Sequence, residues 1–188
     1  RLSPLPCKDH WMSSPAVTEV RRLFLALWPE DVERRQLAQL AASVAGRQRV
    51  RDANLHLTLV FLGPTDATRL AAYEAALADL PVPALELVLD RYGYWPMPRI
   101  LWLGSSQTPS ELYELVADLH RRLRGCGFVP ERRAFQAHMT LARKFPGPAP
   151  EHPPAVPIRW SIGEVALIES LLGKHGSEYR VLQRWPRG

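Results

Sequence analysis

Two apolar runs, residues 55–62 (LHLTLVFL) and 135–142 (FQAHMTLA), each enclose a His-x-Thr string, His56-Leu57-Thr58 and His138-Met139-Thr140. Runs of this length and composition read as β-strands. Side chains alternate along a strand, so His56 and Thr58 share one face and the leucines between them take the other; His138 and Thr140 repeat the arrangement. One face of each strand is therefore expected to enter a core and the other to carry chemistry. An imidazole donates or accepts a proton near neutral pH, and a hydroxyl two residues on can bind a phosphoryl oxygen. Two such pairs facing each other supply an acid, a base and two anion donors.

The elements around the two strings are also duplicated. The apolar run 23–27 reads as a buried strand, and Pro29 opens a helix carrying Leu37, Leu40, Ala41 and Val44 at helical spacing, with acids in its first turn and Gly46 at its end. The first His-x-Thr strand follows and closes at Gly63-Pro64, after which Thr65 is expected to cap a helix running to about Ala78. In the second half, residues 85–89 and 100–103 read as strands separated by a break at Gly93, Pro96 and Pro98. Thr108-Pro109-Ser110-Glu111 has the form of a capping box opening a helix with apolar residues at 112, 115, 116, 119 and 123. The second His-x-Thr strand comes next, then a Pro-rich loop over 145–157, a strand region over 158–169, a turn at residues 173–176 and a last strand over 179–182. Strand, helix and His-x-Thr strand thus occur twice in the same order, which predicts two pseudo-symmetric lobes meeting at a cleft.

Composition narrows the function classes. A chain of 188 residues is large enough for a single bilobal domain over residues 21–188, and residues 1–20, aperiodic and rich in Pro and Ser, are expected to form a poorly ordered tail in which Met12 is a candidate natural start. No apolar run approaches the roughly 20 residues that span a bilayer, and no signal-peptide pattern is present, so a soluble, cytoplasmic protein without membrane partners is expected. Cys7 and Cys126 have no metal-ligand or disulfide-framework spacing. The net charge of +5 suits a phosphate-bearing partner, although the excess is dispersed. A metal held by His56 and His138 lacks the carboxylate or thiolate that completes such sites, so neither metal nor cofactor is expected. The remaining histidines, His10, His120, His152 and His175, are expected to be solvated, and Arg121-Arg122 and Arg132-Arg133 are read first as solvated faces and second as RNA contacts.

The segments 54–63 (NLHLTLVFLG), 132–143 (RRAFQAHMTLAR) and 22–27 (RLFLAL) together resemble the 2H phosphoesterase superfamily, and within it the RNA 2′,3′-cyclic phosphodiesterases first described as 2′-5′ RNA ligases. The resemblance implies an α+β fold of two lobes, each an antiparallel sheet with helices on its outer face, around a central cleft. It implies hydrolysis of an RNA or nucleotide 2′,3′-cyclic phosphate to a 2′-phosphate, with His56 as general acid, His138 as general base, Thr58 and Thr140 on the phosphate oxygens, and no metal. Arg143 matches a family position that adds charge at the phosphate, but period-two counting places it on the face opposite His138 and Thr140 unless the strand bulges. The same counting sends Phe61 to the core. Tyr92, Tyr94 and Trp95 are candidates for stacking a base, weighed against packing. The chain departs from the family at Asp52-Ala53 and at Ala137, where Pro is common, and a change of strand geometry is possible at the second site. A non-catalytic nucleotide- or RNA-binding module, and other activities of the superfamily such as 2′-5′ ligation or cleavage and ADP-ribose 1″,2″-cyclic phosphate hydrolysis, are the alternatives. A monomer is expected.

Overall fold

A computed structural model describes residues 19–174 and 176–187. The expectations for most of the N-terminal tail, and for His10 and His175, fall outside the described residues. Among the described residues, nine strands and three α-helices follow one another as β1 (Arg21–Leu27), α1 (Asp31–Ala45), β2 (Leu57–Thr65), α2 (Ala67–Ala76), β3 (Leu85–Leu89), β4 (Arg91–Trp95), β5 (Ile100–Gly104), α3 (Ser110–Arg124), β6 (His138–Arg143), β7 (Ile158–Ile162), β8 (Glu164–Gly173) and β9 (Gly176–Pro186). Seven strands form one antiparallel sheet in the order β4-β5-β6-β2-β1-β8-β9, and β3 pairs with β7 in a second, two-stranded sheet. Here the two lobes become visible. Strands β9-β8-β1-β2 belong to one and β6-β5-β4 to the other, and they are joined through the pair Leu57 and Met139.

Helices cover one face of the large sheet. Leu25, Leu27, Leu57, Leu103, Met139 and Leu141 point into that side and are fully buried, with Leu37 and Ala41 of α1 and Leu112, Leu119 and Leu123 of α3. Each such leucine contributes about 1.5–3 kcal/mol through removal from water. The helices cross between lobes: α1, which follows β1, packs against β6 and β7, whereas α3, which precedes β6, packs against β2 and α2. No described helix is long and apolar enough to cross a membrane.

Local chemistry moves several expected boundaries. Asp66, not Thr65, caps α2 by accepting a hydrogen bond from the Arg69 amide at 2.8 Å; Thr65 closes β2 and donates its hydroxyl to the Gly63 carbonyl. The expected capping box at 108–111 does not form, because Pro109 keeps an extended ψ of 141° and α3 starts after it at Ser110 with no side-chain cap. The expected break at Gly93 is strand β4, since Gly93 lies across from Trp102 and its missing Cβ leaves room for the indole to lie flat on it. The single strand region after the Pro-rich loop is two strands, β7 and β8, which part at Gly163 and enter different sheets.

Candidate active site

The uncovered face of the large sheet holds both His-x-Thr strings. Leu57 on β2 pairs with Met139 on β6 in antiparallel register, which sets Thr58 across from His138 and His56 across from Thr140. Each imidazole therefore sits beside the other string's hydroxyl, and the central pair, Leu57 and Met139, is wholly buried on the reverse face.

Both rings are held alike. His56 Nδ1 lies 2.6 Å from the Asn54 carbonyl oxygen and His138 Nδ1 2.8 Å from the Gln136 carbonyl oxygen. A carbonyl only accepts, so Nδ1 carries the hydrogen on both rings and Nε2 is the atom left to exchange a proton. At His56 the Nε2 atom is 3.1 Å from Thr58 Oγ1, whose hydroxyl donates to it while the ring is neutral. The second ring has the same carbonyl bond two residues back, so Ala137, which is buried, leaves the geometry of that site intact.

The surroundings differ. His56 lies among Phe24 (ring centroids 4.9 Å), Trp28 (5.8 Å, stacked) and Tyr179 (5.1 Å, edge-on). Burial in this aromatic setting lowers its pKa from 6.5 to about 4; the Asn54 carbonyl opposes the shift, and the charges of Arg143, His138 and Arg34 add to it. His138 meets the edge of Trp95 at 4.5 Å and Trp102 at 6.4 Å. Its pKa is also lowered, first by burial and then by the charges of Arg143 and Arg133, against the pull of the Gln136 carbonyl. Both shifts thus disfavour the imidazolium form.

Arg143 influences both rings, and its backbone explains how it can. Thr140 pairs with Trp102 but Ala142 pairs with Leu101, so Leu141 is an extra residue in β6. Leu141 and Ala142 are consequently both buried, and Arg143, exposed, returns to the face of His138 and Thr140. The same irregularity follows the first Thr: Ala26 pairs with Thr58 and Leu25 with Val60, so Leu59 is extra and Phe61 comes back to the His56 face. The expectation that Phe61 is core is therefore wrong. It is 56% exposed, with its ring 6.3 Å from Phe24.

Of the three aromatic candidates for stacking, Tyr92 packs against the core, Tyr94 donates its hydroxyl to the Phe145 carbonyl, and Trp95 rests on His138 and Trp102. Arg34 was not legible as a site residue. Its guanidinium donates to the carbonyls of Pro29, Asp52 and Leu55 at 2.8, 3.0 and 3.2 Å and lies 5.0 Å from the Trp28 ring centroid. It thereby ties α1 to the 3-10 turn Asp52–Asn54 that presents His56. The sequence shows only a cation in the first turn of a helix, where acids are favoured. Arg121, exposed, pairs with Asp118; Arg122 is mostly covered and bonds Asp118, Asp79 and the Ala76 carbonyl, so it ties α3 to the end of α2 and corrects the solvated-face expectation for that residue. No cluster of three or more His, Cys, Asp or Glu side chains suited to a metal occurs among the described residues.

The family profile described as LigT like Phosphoesterase matches the chain twice in succession, over residues 27–102 and 103–178. The RNA 2′,3′-cyclic phosphodiesterase of Escherichia coli is 32% identical over 174 residues, covering 90% of this chain and 98% of that protein. The protein of the same name from Thermus thermophilus is 32% identical over 185 residues, covering 87% and 89%. Among solved structures, E. coli LigT complexed with 3′-AMP superposes with a TM-score of 0.82 at 30% identity over 90% of this chain and 99% of that one. The phosphate complex of the same protein gives 0.79 at 28% over the same shares. Two profile matches in tandem, each holding one His-x-Thr strand, mean that the chain belongs to the LigT-like phosphoesterases of the 2H phosphoesterase family.

Proposed function

We propose that the chain is an RNA 2′,3′-cyclic phosphodiesterase that opens the cyclic ester to a 2′-phosphate by two-histidine acid–base catalysis. The observation that carries the reading is the antiparallel pair Leu57 and Met139, which gathers two imidazoles and two hydroxyls on one open face. The names of the E. coli and Thermus relatives support the substrate class.

In-line hydrolysis needs a base beside the attacking water and an acid beside the leaving 3′ oxygen. His138 Nε2 takes a proton from water as its oxygen bonds to phosphorus. The bond from phosphorus to the 3′ oxygen breaks, and His56 Nε2–H gives that oxygen its proton. Thr58, Thr140 and Arg143 stabilise the charge that develops on the phosphoryl oxygens. Because burial keeps His56 neutral when the face is empty, the acid must gain its proton as the anionic diester arrives, whose charge favours the imidazolium. The low pKa of His56 supports a second reading with the roles exchanged. Phe61, exposed on the His56 side, is the surface on which the terminal base stacks.

The test is turnover of a 2′,3′-cyclic nucleotide with product mapping. His56→Ala and His138→Ala are each expected to lose about 10²- to 10⁴-fold in kcat, and EDTA is expected to leave the rate unchanged. A substrate with sulfur bridging at the 3′ position needs no acid, so it rescues the variant lacking the acid and leaves the other inactive. Full turnover in both alanine variants defeats the proposal, and binding of cyclic and linear phosphates with equal affinity and no product establishes the binding module instead.

A further inference from the structure

The sheet register carries the site further than the two strings. His138 pairs with Gly104 and Gly104 with Arg91, so the three form one row across β6, β5 and β4 on the open face. Strand spacing of about 4.8 Å puts Arg91 roughly 10 Å from His138 along the backbone. Gly104 leaves that interval without a side chain, and a Cβ there would lie 2.8 Å from the Trp102 ring. Trp102 lies flat over Gly93 and forms a floor, with the Arg91 guanidinium 5.3 Å from its centroid. Beyond the opposite end of the row, through Thr58, Ala26 and Ala166, stands Arg184, but its charge is matched by Glu164. Arg91 is exposed and has no carboxylate within salt-bridge reach among the described residues.

We propose that Arg91 forms a second phosphate position, which binds the internucleotide phosphodiester on the 5′ side of the cyclic end and makes the cleft prefer an RNA strand to a mononucleotide. The inference rests on the proposed function and adds the direction of the strand: the chain leaves the catalytic pair over β5 and β4, while the terminal base lies on the Phe61 side. Arginine suits this role because its planar donors meet phosphate oxygens in pairs. Stacking on Trp102 orients the fork of Arg91 before the strand arrives.

The experiment compares kcat/KM for a mononucleotide 2′,3′-cyclic phosphate and for an oligoribonucleotide ending in the same group, in the wild type and in Arg91→Met. Methionine keeps the Trp102 face covered. The oligonucleotide value is expected to fall roughly tenfold more than the mononucleotide value, and its dependence on log salt to flatten by about 0.7 for each phosphate that is no longer neutralised. Equal losses on the two substrates, or no loss on either, overturn the inference. If the wild type turns over neither substrate, the proposed function fails on its own. Fluorescence anisotropy with a labelled oligoribonucleotide bearing a 3′-phosphate then decides the track: weaker binding by Arg91→Met upholds it, and unchanged binding ends it.

Discussion

The depressed pKa of His56 has a consequence for stability that can be measured without substrate. In the unfolded chain the ring titrates near 6.5 and in the folded protein near 4. Between those values the unfolded state binds a proton that the folded state refuses, so acid favours unfolding. The stabilisation is complete above about pH 6.5, is lost as the pH falls, and changes no further below about pH 4. A difference of 2.5 pH units at 1.36 kcal/mol each gives about 3 kcal/mol lost from this ring between pH 7 and pH 4. His138, whose pKa is also lowered, contributes with the same sign, so the wild type alone does not isolate the effect. His56→Gln removes one titrating group and keeps the other. Urea unfolding at a series of pH values is expected to show the wild type losing about 3 kcal/mol more than the variant, which at an m-value near 2 kcal/mol/M is a relative midpoint shift of about 1.5 M. Inorganic phosphate should shrink the difference by favouring the imidazolium in the folded protein. Equal pH slopes in the two proteins, or an NMR titration of His56 centred at or above 6.5, would refute the account of a ring desolvated by Phe24, Trp28 and Tyr179.

Three further perturbations bear on the same face. Arg143→Ala is expected to lower kcat/KM on the order of 10²-fold and to move the pH profile upward, because the Arg143 charge lowers the pKa of both imidazoles; a steady-state profile reads both. Arg34→Met should lower kcat more than it raises KM and shift the His56 limb of the profile to higher pH, with Arg34→Lys restoring the shift but not the rate, since only the planar fork reaches three carbonyls. Gly93→Ala places a Cβ 1.9 Å from Trp102 Cζ2 and forces the indole to move; a stability loss of about 1–3 kcal/mol by urea unfolding is expected.

The sequence made the repeated halves, the core leucines and the facing His-x-Thr pairs legible, because each is expressed in a period of two or in an order of elements. Arg143 and Phe61 were hidden for one reason. A strand's alternation predicts a face only while every residue keeps its place in the ladder, and an extra residue after each Thr breaks the count. Leu59-Val60 and Leu141-Ala142 are adjacent apolar pairs that a strand buried on both faces would also show, so the irregularity has no composition of its own. Arg34 was hidden differently: its partners are main-chain carbonyls of residues 29, 52 and 55, and carbonyls carry no sequence signature.

The two extra residues also show how a symmetric scaffold supports an asymmetric reaction. Both bulges fall immediately after the Thr, and both return the third residue beyond it to the open face. In the first half that residue is Phe61, set against Phe24; in the second it is Arg143, whose charge reaches both imidazoles. Identical backbone geometry thus delivers an aromatic ring to one side and a cation to the other. A nucleotide end has the same division, with a flat base to one side of the ribose and charged diesters to the other. A diester held between two like imidazoles could lie either way round, and nothing in the His-x-Thr strings themselves breaks the tie. Exchanging the pair, as Phe61→Arg with Arg143→Phe, would reverse the polarity of the face while leaving both bulges and both rings in place. Should the exchanged protein still process the oligonucleotide as the wild type does, orientation would have to come from somewhere other than these two positions.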